Sequence, residues 1–174
     1  GVAELVAADV FAQIEGFAHY GFPRSHATAF ARLSYETAYL RRHHLTAFVC
    51  ARLNAQPGGF YSPAVVINDA RRHGVRILRP DLAASAFDCT LERDASGTLA
   101  VRLGIRYVRG LADVTGHALL AARDRHGPFA SLADLCRRAR AILAPEAVAA
   151  LIMSGACDAW GQPRRQLLWS LPGA

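Results

Sequence analysis

Two short segments near the C-terminal end of the chain combine a glycine turn with nearby arginines, a combination suited to binding anions. They are IRYVRGLAD at residues 105–113 and ALIMSGACD at residues 150–158. Each has the pattern of an apolar helix, a small turn containing glycine, and an aspartate that begins the next element. Such a turn leaves backbone N–H groups unpaired beside a helix N-terminus. This arrangement can bind an anion, and phosphate is the usual one.

The two turns and the arginines around them are therefore the predicted contacts with a phosphate backbone. Glycine or alanine is needed in the turns because a larger side chain would hold the phosphate away from the N–H groups. A glycine at a helix end is also the usual C-cap, and that interpretation stays open for both turns. The predicted contacts are Arg106, Arg109, Gly110, Leu111, Ala112, Ser154, Gly155, Ala156, Arg164 and Arg165.

A third segment, YGFPRSHA at residues 20–27, places several hydrogen-bond donors at the start of a predicted helix. Arg24, Ser25 and His26 bring a guanidinium, a hydroxyl and an imidazole together, which suits a polyphosphate. The competing interpretation is a helix capped by Ser25, with an exposed arginine and a packed histidine.

No catalytic or metal-binding residue is predicted. Glu92 and Asp94 form the only carboxylate-x-carboxylate pair, and the following Ser-Gly indicates a solvated hairpin turn. The four cysteines are scattered, without the spacing of a zinc site, and are expected to be reduced thiols.

Hydrophobic periodicity predicts the elements that carry these residues. Helices are expected over 3–14, from Ser25 to about 44, over 45–54 and over 62–73. Strands are expected over 75–78, 87–92 and 98–103, and short helices over 105–108, 113–125, 131–139, 145–153 and 163–170. The fold class is thus α+β, mainly α, with a small antiparallel sheet. The predicted domains are 1–74, 75–103 and 104–174.

Charge and composition limit the partners. The 174 residues carry a formal net charge of +6, and all twenty basic residues are arginine. Residues 104–174 hold nine arginines against five acidic residues, so most of the positive excess lies there.

Apolar residues make up 52% of the chain, which argues against disorder. With no apolar run near the roughly 18 residues of a membrane span, a cytoplasmic location without membrane contact is expected. The initial Gly1 suggests a piece of a longer protein.

Four segments resemble the catalytic alpha subunit of bacterial family C DNA polymerases, the DNA polymerase III alpha type. They are HYGFPRSHATAFARLSYETAYLRRHH (19–44), DARRHGVRILRPDLAASAFDCTLE (69–92), LGIRYVRGLADVTGHALLAARDRHGPFASLADLCRRA (103–139) and VAALIMSGACDAWG (148–161). The segment CARLNAQPGGFYSPAVVINDARRHGV (50–75) is closer to the error-prone paralogue used in damage-induced, translesion synthesis.

The resemblance implies that residues 1–74 are the helical end of the fingers region and that 104–174 are a tandem helix-hairpin-helix module. In the family this module grips duplex DNA by its backbone without reading sequence. Ala112 departs from the pattern, because a second glycine is common there. Arg24, Ser25 and His26 match a fingers motif that lies near the incoming nucleotide and template.

The resemblance also sets the expected partners and cofactors. Primer-template and other double-stranded DNA are the expected partners of this chain, in a nucleoid-associated cytoplasmic enzyme. The nucleotide substrate, Mg²⁺ and its palm aspartates belong to the parent polymerase. A sliding clamp or damage-response proteins would bind through parts outside this chain. The fragment alone is therefore predicted to be inactive, with no cofactor of its own.

Three other interpretations remain. The chain could be a stand-alone, non-enzymatic DNA-binding or scaffolding module, or the same region of the main replicative alpha subunit. A small hydrolase would need His26 or His43 beside a cysteine, and no such pair has a readable spacing.

Overall fold

The computed structural model describes residues 4–19, 24–94 and 96–171, without the side chains of residues 17–19, 24 and 25. The described residues fall into two compact units, one ending at His43 and the other beginning at His44. The mainly helical α+β class predicted from the sequence is confirmed. The three-domain division at 74 and 103 stays a prediction.

The described residues of the first unit form the helices α1 (Glu4–His19) and α2 (Arg24–His43). Helix α2 begins at Arg24, so Ser25 is its second residue and not the predicted N-cap. Arginine has a higher helix propensity than serine, which is consistent with the earlier start. Apolar side chains on both helices are exposed, among them Phe11, Leu33 and Tyr35.

The second unit begins with two helices that pack on a small sheet. They are α3 (Leu45–Asn54) and α4 (Pro63–Arg72), followed by strands β1 (Arg76–Leu78), β2 (Thr90–Arg93) and β3 (Leu99–Arg102). A hydrophobic core joins the helices to the sheet, and its fully buried members include Leu53 and Val101. Gly74, just past α4, has the positive φ of 82° that a helix-ending turn requires.

The sheet is mixed, which corrects the prediction of an antiparallel sheet. Its strand order is β1-β3-β2, with Leu91 opposite Val101 in the antiparallel pair and Ile77 opposite Val101 in the parallel pair. The short turn between β2 and β3 forces those two strands to be antiparallel. The longer connection over residues 79–89 places β2 one strand position away from β1. Strand β3 then fills the position between them and runs parallel to β1.

The remaining elements are short helices around a second hydrophobic core. A 3₁₀-helix (Ile105–Tyr107) precedes α5 (Asp113–His126), α6 (Leu132–Arg138) and α7 (Pro145–Ser154). A second 3₁₀-helix (Asp158–Trp160) then leads to α8 (Arg164–Trp169). Their apolar faces meet in a core whose largest fully buried members are Ile105, Leu119, Leu135, Leu151, Ile152, Val108, Cys157 and Leu167. This core positions both glycine turns.

Candidate nucleic-acid interface

The first glycine turn, which we call the first hairpin (residues 108–112), is open to solvent. Gly110 has a φ of 87°, a conformation that residues with a Cβ rarely adopt, and a Cβ placed on it would meet no atom within 4 Å. Leu111 is 9% exposed and anchors the turn in the core. The glycine backbone is therefore presented at the surface while the neighbouring leucine holds it in place.

The first hairpin leads directly into the N-terminus of α5, which has no side-chain cap. Ala112 occupies the N-cap position and has no side-chain oxygen that could accept a hydrogen bond from the first N–H groups of α5. The N–H groups of Asp113, Val114 and Thr115 donate to no acceptor among the described residues. Uncapped N–H groups at a helix N-terminus form a site of positive potential. Since Ala112 has only a methyl group, an anion can approach these N–H groups closely.

The two arginines predicted beside this turn play different parts. Arg106 is directed inward: it donates to Asp88 Oδ1 at 2.8 Å and to the carbonyl oxygen of Gln56 at 3.1 Å. The hydrogen bond that Arg106 donates to Asp88 raises the pKa of Arg106. Arg109 is exposed and makes no hydrogen bond or ion pair with any described residue. Of the pair, Arg109 is the one available to an external anion.

Tyr107 joins Arg106 in fixing the base of the first hairpin. Its hydroxyl donates to the carbonyl oxygen of Leu53 at 2.6 Å, and burial raises the pKa of Tyr107 to about 12. The 3₁₀-helix before the hairpin is thus tied to the end of α3 by two side chains. The sequence pattern did not indicate these ties, because they join residues about fifty positions apart.

The second glycine turn, the second hairpin (residues 154–158), uses its N–H groups internally. Gly155 has a φ of 90°, and its N–H bonds to the carbonyl oxygen of Ile152 at 3.1 Å. The N–H of Ala156 bonds to Leu151 O at 3.1 Å, which completes a Schellman cap. The Oγ of Ser154 donates to the same Leu151 carbonyl oxygen at 2.8 Å. The turn therefore ends α7 as a helix cap.

Charged side chains cover the second hairpin. Arg164 binds the carboxylate of Asp158 with two nitrogens, Nε at 2.7 Å from Oδ1 and Nη2 against Oδ2. Arg79 directly follows β1, and its Nη1 lies 3.4 Å from Oδ2 of the same carboxylate. Arg165 is exposed, and its guanidinium lies 4.8 Å from the centre of the Trp169 ring. Arg79 was not among the predicted site residues, since it is distant in sequence.

The region of residues 104–174 that contains both hairpins is rich in unpaired positive charge. Among the nine arginines of residues 104–174, four make no ion pair with the part of the chain that the structure describes. They are Arg109, Arg125, Arg140 and Arg165. This charge is what a polyanionic ligand requires.

The segment predicted to contact nucleotide lies partly outside the described residues. Residues 20–23 and the side chains of Arg24 and Ser25 belong to that part. His26 is exposed in the first turn of α2, with its ring 4.4 Å from the ring of Phe30.

The described residues do not fit a Mg²⁺ site. They contain no group of three histidine, cysteine or carboxylate side chains that could hold a metal ion. Glu92 pairs with Arg102 across the sheet. Asp94 lies in the predicted turn, but its side chain is 3% exposed and not solvated, because it accepts from the N–H of Ser96 and faces Arg76.

No helix among the described residues has the length and hydrophobicity to cross a membrane.

Comparison with known proteins gives a match over the region of both hairpins. The family described as "Helix-hairpin-helix motif" matches residues 74–167.

Relatives named "Error-prone DNA polymerase" match nearly the whole chain. The one from Anaeromyxobacter sp. (strain K) is 43% identical over 97% of this chain, and the one from Azoarcus sp. (strain BH72) is 46% identical over 92%. The relative from Alkalilimnicola ehrlichii is 43% identical over 100% of this chain. The chain spans only 15–17% of the length of these relatives.

Proposed function

Because the chain belongs to the helix-hairpin-helix motif family, we propose that it is the duplex-binding part of a bacterial error-prone DNA polymerase. In this role it grips primer-template DNA by the phosphate backbone, independently of sequence, during translesion synthesis. The palm aspartates and their Mg²⁺ ions lie in other parts of the parent enzyme, so this chain alone does not polymerise. We place the parent in the cytoplasm, on the nucleoid.

The observation that carries the proposal is the open first hairpin. Gly110 exposes its backbone, three N–H groups of α5 lack acceptors among the described residues, and Arg109 stands beside them without an acidic partner in that set. A phosphate seated here would accept backbone N–H bonds and meet the positive end of a helix. Arg106 has a positioning role, since it holds the base of the hairpin.

Binding of this chain to labelled DNA across a salt series tests the proposal. For duplex DNA each neutralised phosphate contributes a slope of about −0.9 in log K against log salt. We expect several contacts, no dependence on sequence, and stronger binding to duplex than to single strands. Replacing Arg109 by Ala should make the slope shallower by about 0.9 and weaken binding equally on all duplexes.

The matched control is Arg71→Ala in α4, because Arg71 is also exposed and unpaired among the described residues. It should leave the slope unchanged. Absence of binding at low salt by the folded chain would show that the glycine turns are ordinary helix caps. An Arg109→Ala slope equal to that of Arg71→Ala would remove the first hairpin from the interface.

We further propose that Arg24, Ser25 and His26 contact the incoming nucleotide or the template in the parent enzyme. The cluster of donors at the start of α2 supports this assignment. Arg24→Ala in the full polymerase should raise the KM for nucleotide. An unchanged KM would contradict the assignment, and the neighbouring Arg32→Ala, whose guanidinium already pairs with Glu36, is the control.

A further inference from the structure

The second hairpin holds a carboxylate where the first hairpin has open space. A Cβ on Gly155 would lie 2.5 Å from Arg164 Nη2 and 3.0 Å from Asp158 Oδ2, whereas a Cβ on Gly110 would meet nothing within 4 Å. The Asp158–Arg164 pair therefore rests directly on the glycine backbone. At the equivalent place, one hairpin is empty and the other is filled by the chain's own anion.

The way this carboxylate is bound resembles the way arginines bind phosphate. Arg164 contacts both oxygens of Asp158 through Nε and Nη2, and Arg79 approaches Oδ2 from a different element. Arginine binds carboxylates and phosphates with the same planar, two-pronged geometry. Two guanidinium groups around one carboxylate also leave a net charge of +1, so the cluster still attracts an anion.

The three side chains are accessible enough to exchange partners. The exposed fraction is 65% for the Arg79 side chain, 32% for that of Arg164 and 44% for that of Asp158. Ion pairs as exposed as these add little to stability, so replacing the carboxylate by another anion costs little. The hydrogen bond from Arg164 has the largest effect and lowers the pKa of Asp158. Burial opposes it to a smaller extent, and Arg79 lowers the pKa further. The carboxylate is therefore ionised at neutral pH.

We propose that Asp158 competes with DNA phosphate for Arg79 and Arg164, so that the second hairpin grips the duplex only when a phosphodiester replaces this carboxylate. The proposal rests on the duplex binding proposed above. It assigns Arg79 to the interface and makes the two hairpins unequal: the first binds phosphate as it stands, and the second binds by exchange.

The test compares Asp158→Asn with the unaltered chain in the same salt series. Asparagine keeps the size of the side chain but removes the competing charge. Duplex binding should become about fivefold tighter at low salt because a nearby like charge is lost. The slope should steepen by about 0.9 for each phosphate newly bound.

Asp124→Asn is the matched control. Asp124 is an exposed carboxylate of the same region that pairs with the adjacent Arg123, and its removal changes the net charge equally. It should produce a smaller gain in affinity and no change in slope. If Asp158→Asn and Asp124→Asn behave alike, the gain is a general charge effect and the exchange proposal is wrong.

A second variant leaves the Asp158–Arg164 pair intact. Arg79→Ala should weaken duplex binding and make the slope shallower by about 0.9 if Arg79 is a phosphate ligand. An unchanged slope would overturn that role, whether or not Asp158→Asn folds. Failure of the unaltered chain to bind duplex would instead contradict the proposed function itself, so the two failures are distinguishable.

Discussion

Arg106 and Arg109 show how differently two arginines three residues apart can be used. Arg106 donates hydrogen bonds to Asp88 and to backbone carbonyl oxygens, and so fixes the first hairpin to the rest of its unit. Arg109 has no acceptor among the described residues and is exposed beside the turn. In the sequence both are arginines close to the same glycine turn, so both were predicted to contact a phosphate. Only the packing of residues 54–56 and 88 against the hairpin separates them.

The glycines with positive φ can be separated in the same way. Gly97, Gly110 and Gly155 have φ values of 78°, 87° and 90°, but only Gly155 has side chains pressed against it. Alanine at Gly97 or Gly110 should cost about 1–2 kcal/mol of unfolding free energy from backbone strain alone. Alanine at Gly155 should cost more, because its Cβ also displaces Arg164. Urea denaturation of the three variants measures the difference.

These variants also separate binding from stability. Gly97 lies in the turn between β2 and β3, away from both hairpins in the sequence, so Gly97→Ala should bind duplex normally. Gly110→Ala should bind duplex more weakly at equal stability, since its Cβ projects into the open space that we propose for a phosphate. Equal binding by the two variants would contradict the role given to Gly110.

At the scale of elements, periodicity predicted most of the structure. Five short helices of residues 104–174 were expected within one or two residues of where they lie, because each has a turn residue at its ends and an apolar face. The 3₁₀-helix Asp158–Trp160 was not predicted. The direction of β1 was predicted wrongly as antiparallel, since strand periodicity carries no information on which neighbour a strand will pair with. The contacts of Arg79 and Tyr107 were missed for the same reason: they depend on tertiary packing.

Gly104 is an element-scale feature that the sequence did not indicate. It joins β3 to the first 3₁₀-helix, and a Cβ there would overlap the backbone carbonyl oxygen of Phe87 and the carbonyl group of Asp88. Backbone atoms cannot move aside as a flexible side chain can. Gly104→Ala should therefore destabilise the chain by about 3 kcal/mol or more, at the upper end of overpacking effects. A thermal melt close to that of the unaltered chain would show that the loop relaxes freely.

Helix α6 should show a dependence on acid. Asp134 accepts a hydrogen bond from the backbone N–H of Ala130, and it pairs with Arg137 and Arg138. These contacts lower the pKa of Asp134 below its ordinary value of 3.8, and the hydrogen bond from Ala130 has the largest effect. A carboxyl group whose pKa is lower in the folded state stabilises the fold above pH 3.8. That stability is lost as the pH falls through the lowered value.

Asp134→Asn should therefore lower the unfolding free energy at neutral pH and reduce its loss on acidification. Chemical denaturation between pH 2.5 and 7 would measure both changes. The matched variant is Asp124→Asn, whose carboxylate pairs with Arg123 but caps no helix. An acid dependence that is identical in the two variants would show that Asp134 does not stabilise α6 in this way.

At the scale of the whole molecule, the second unit contains everything that the duplex-binding proposal requires. Both hydrophobic cores and both hairpins lie in the unit that begins at His44. The described side chains before residue 44 are exposed along α1 and α2. Residues 1–43 contain four arginines and four acidic residues, so removing them leaves the formal net charge unchanged.

A chain of residues 44–174 should therefore fold cooperatively and bind duplex with the affinity and salt slope of the full 174 residues. Stability depends on burial, and among the described residues the apolar burial lies within this unit. The electrostatic attraction for DNA should also persist, because the charge excess is retained. Urea denaturation would measure the cooperativity of folding, and the salt series would measure the affinity and slope of duplex binding. A weaker slope would assign phosphate contacts to α1 or α2, and a loss of cooperative unfolding would show that the second unit depends on the first.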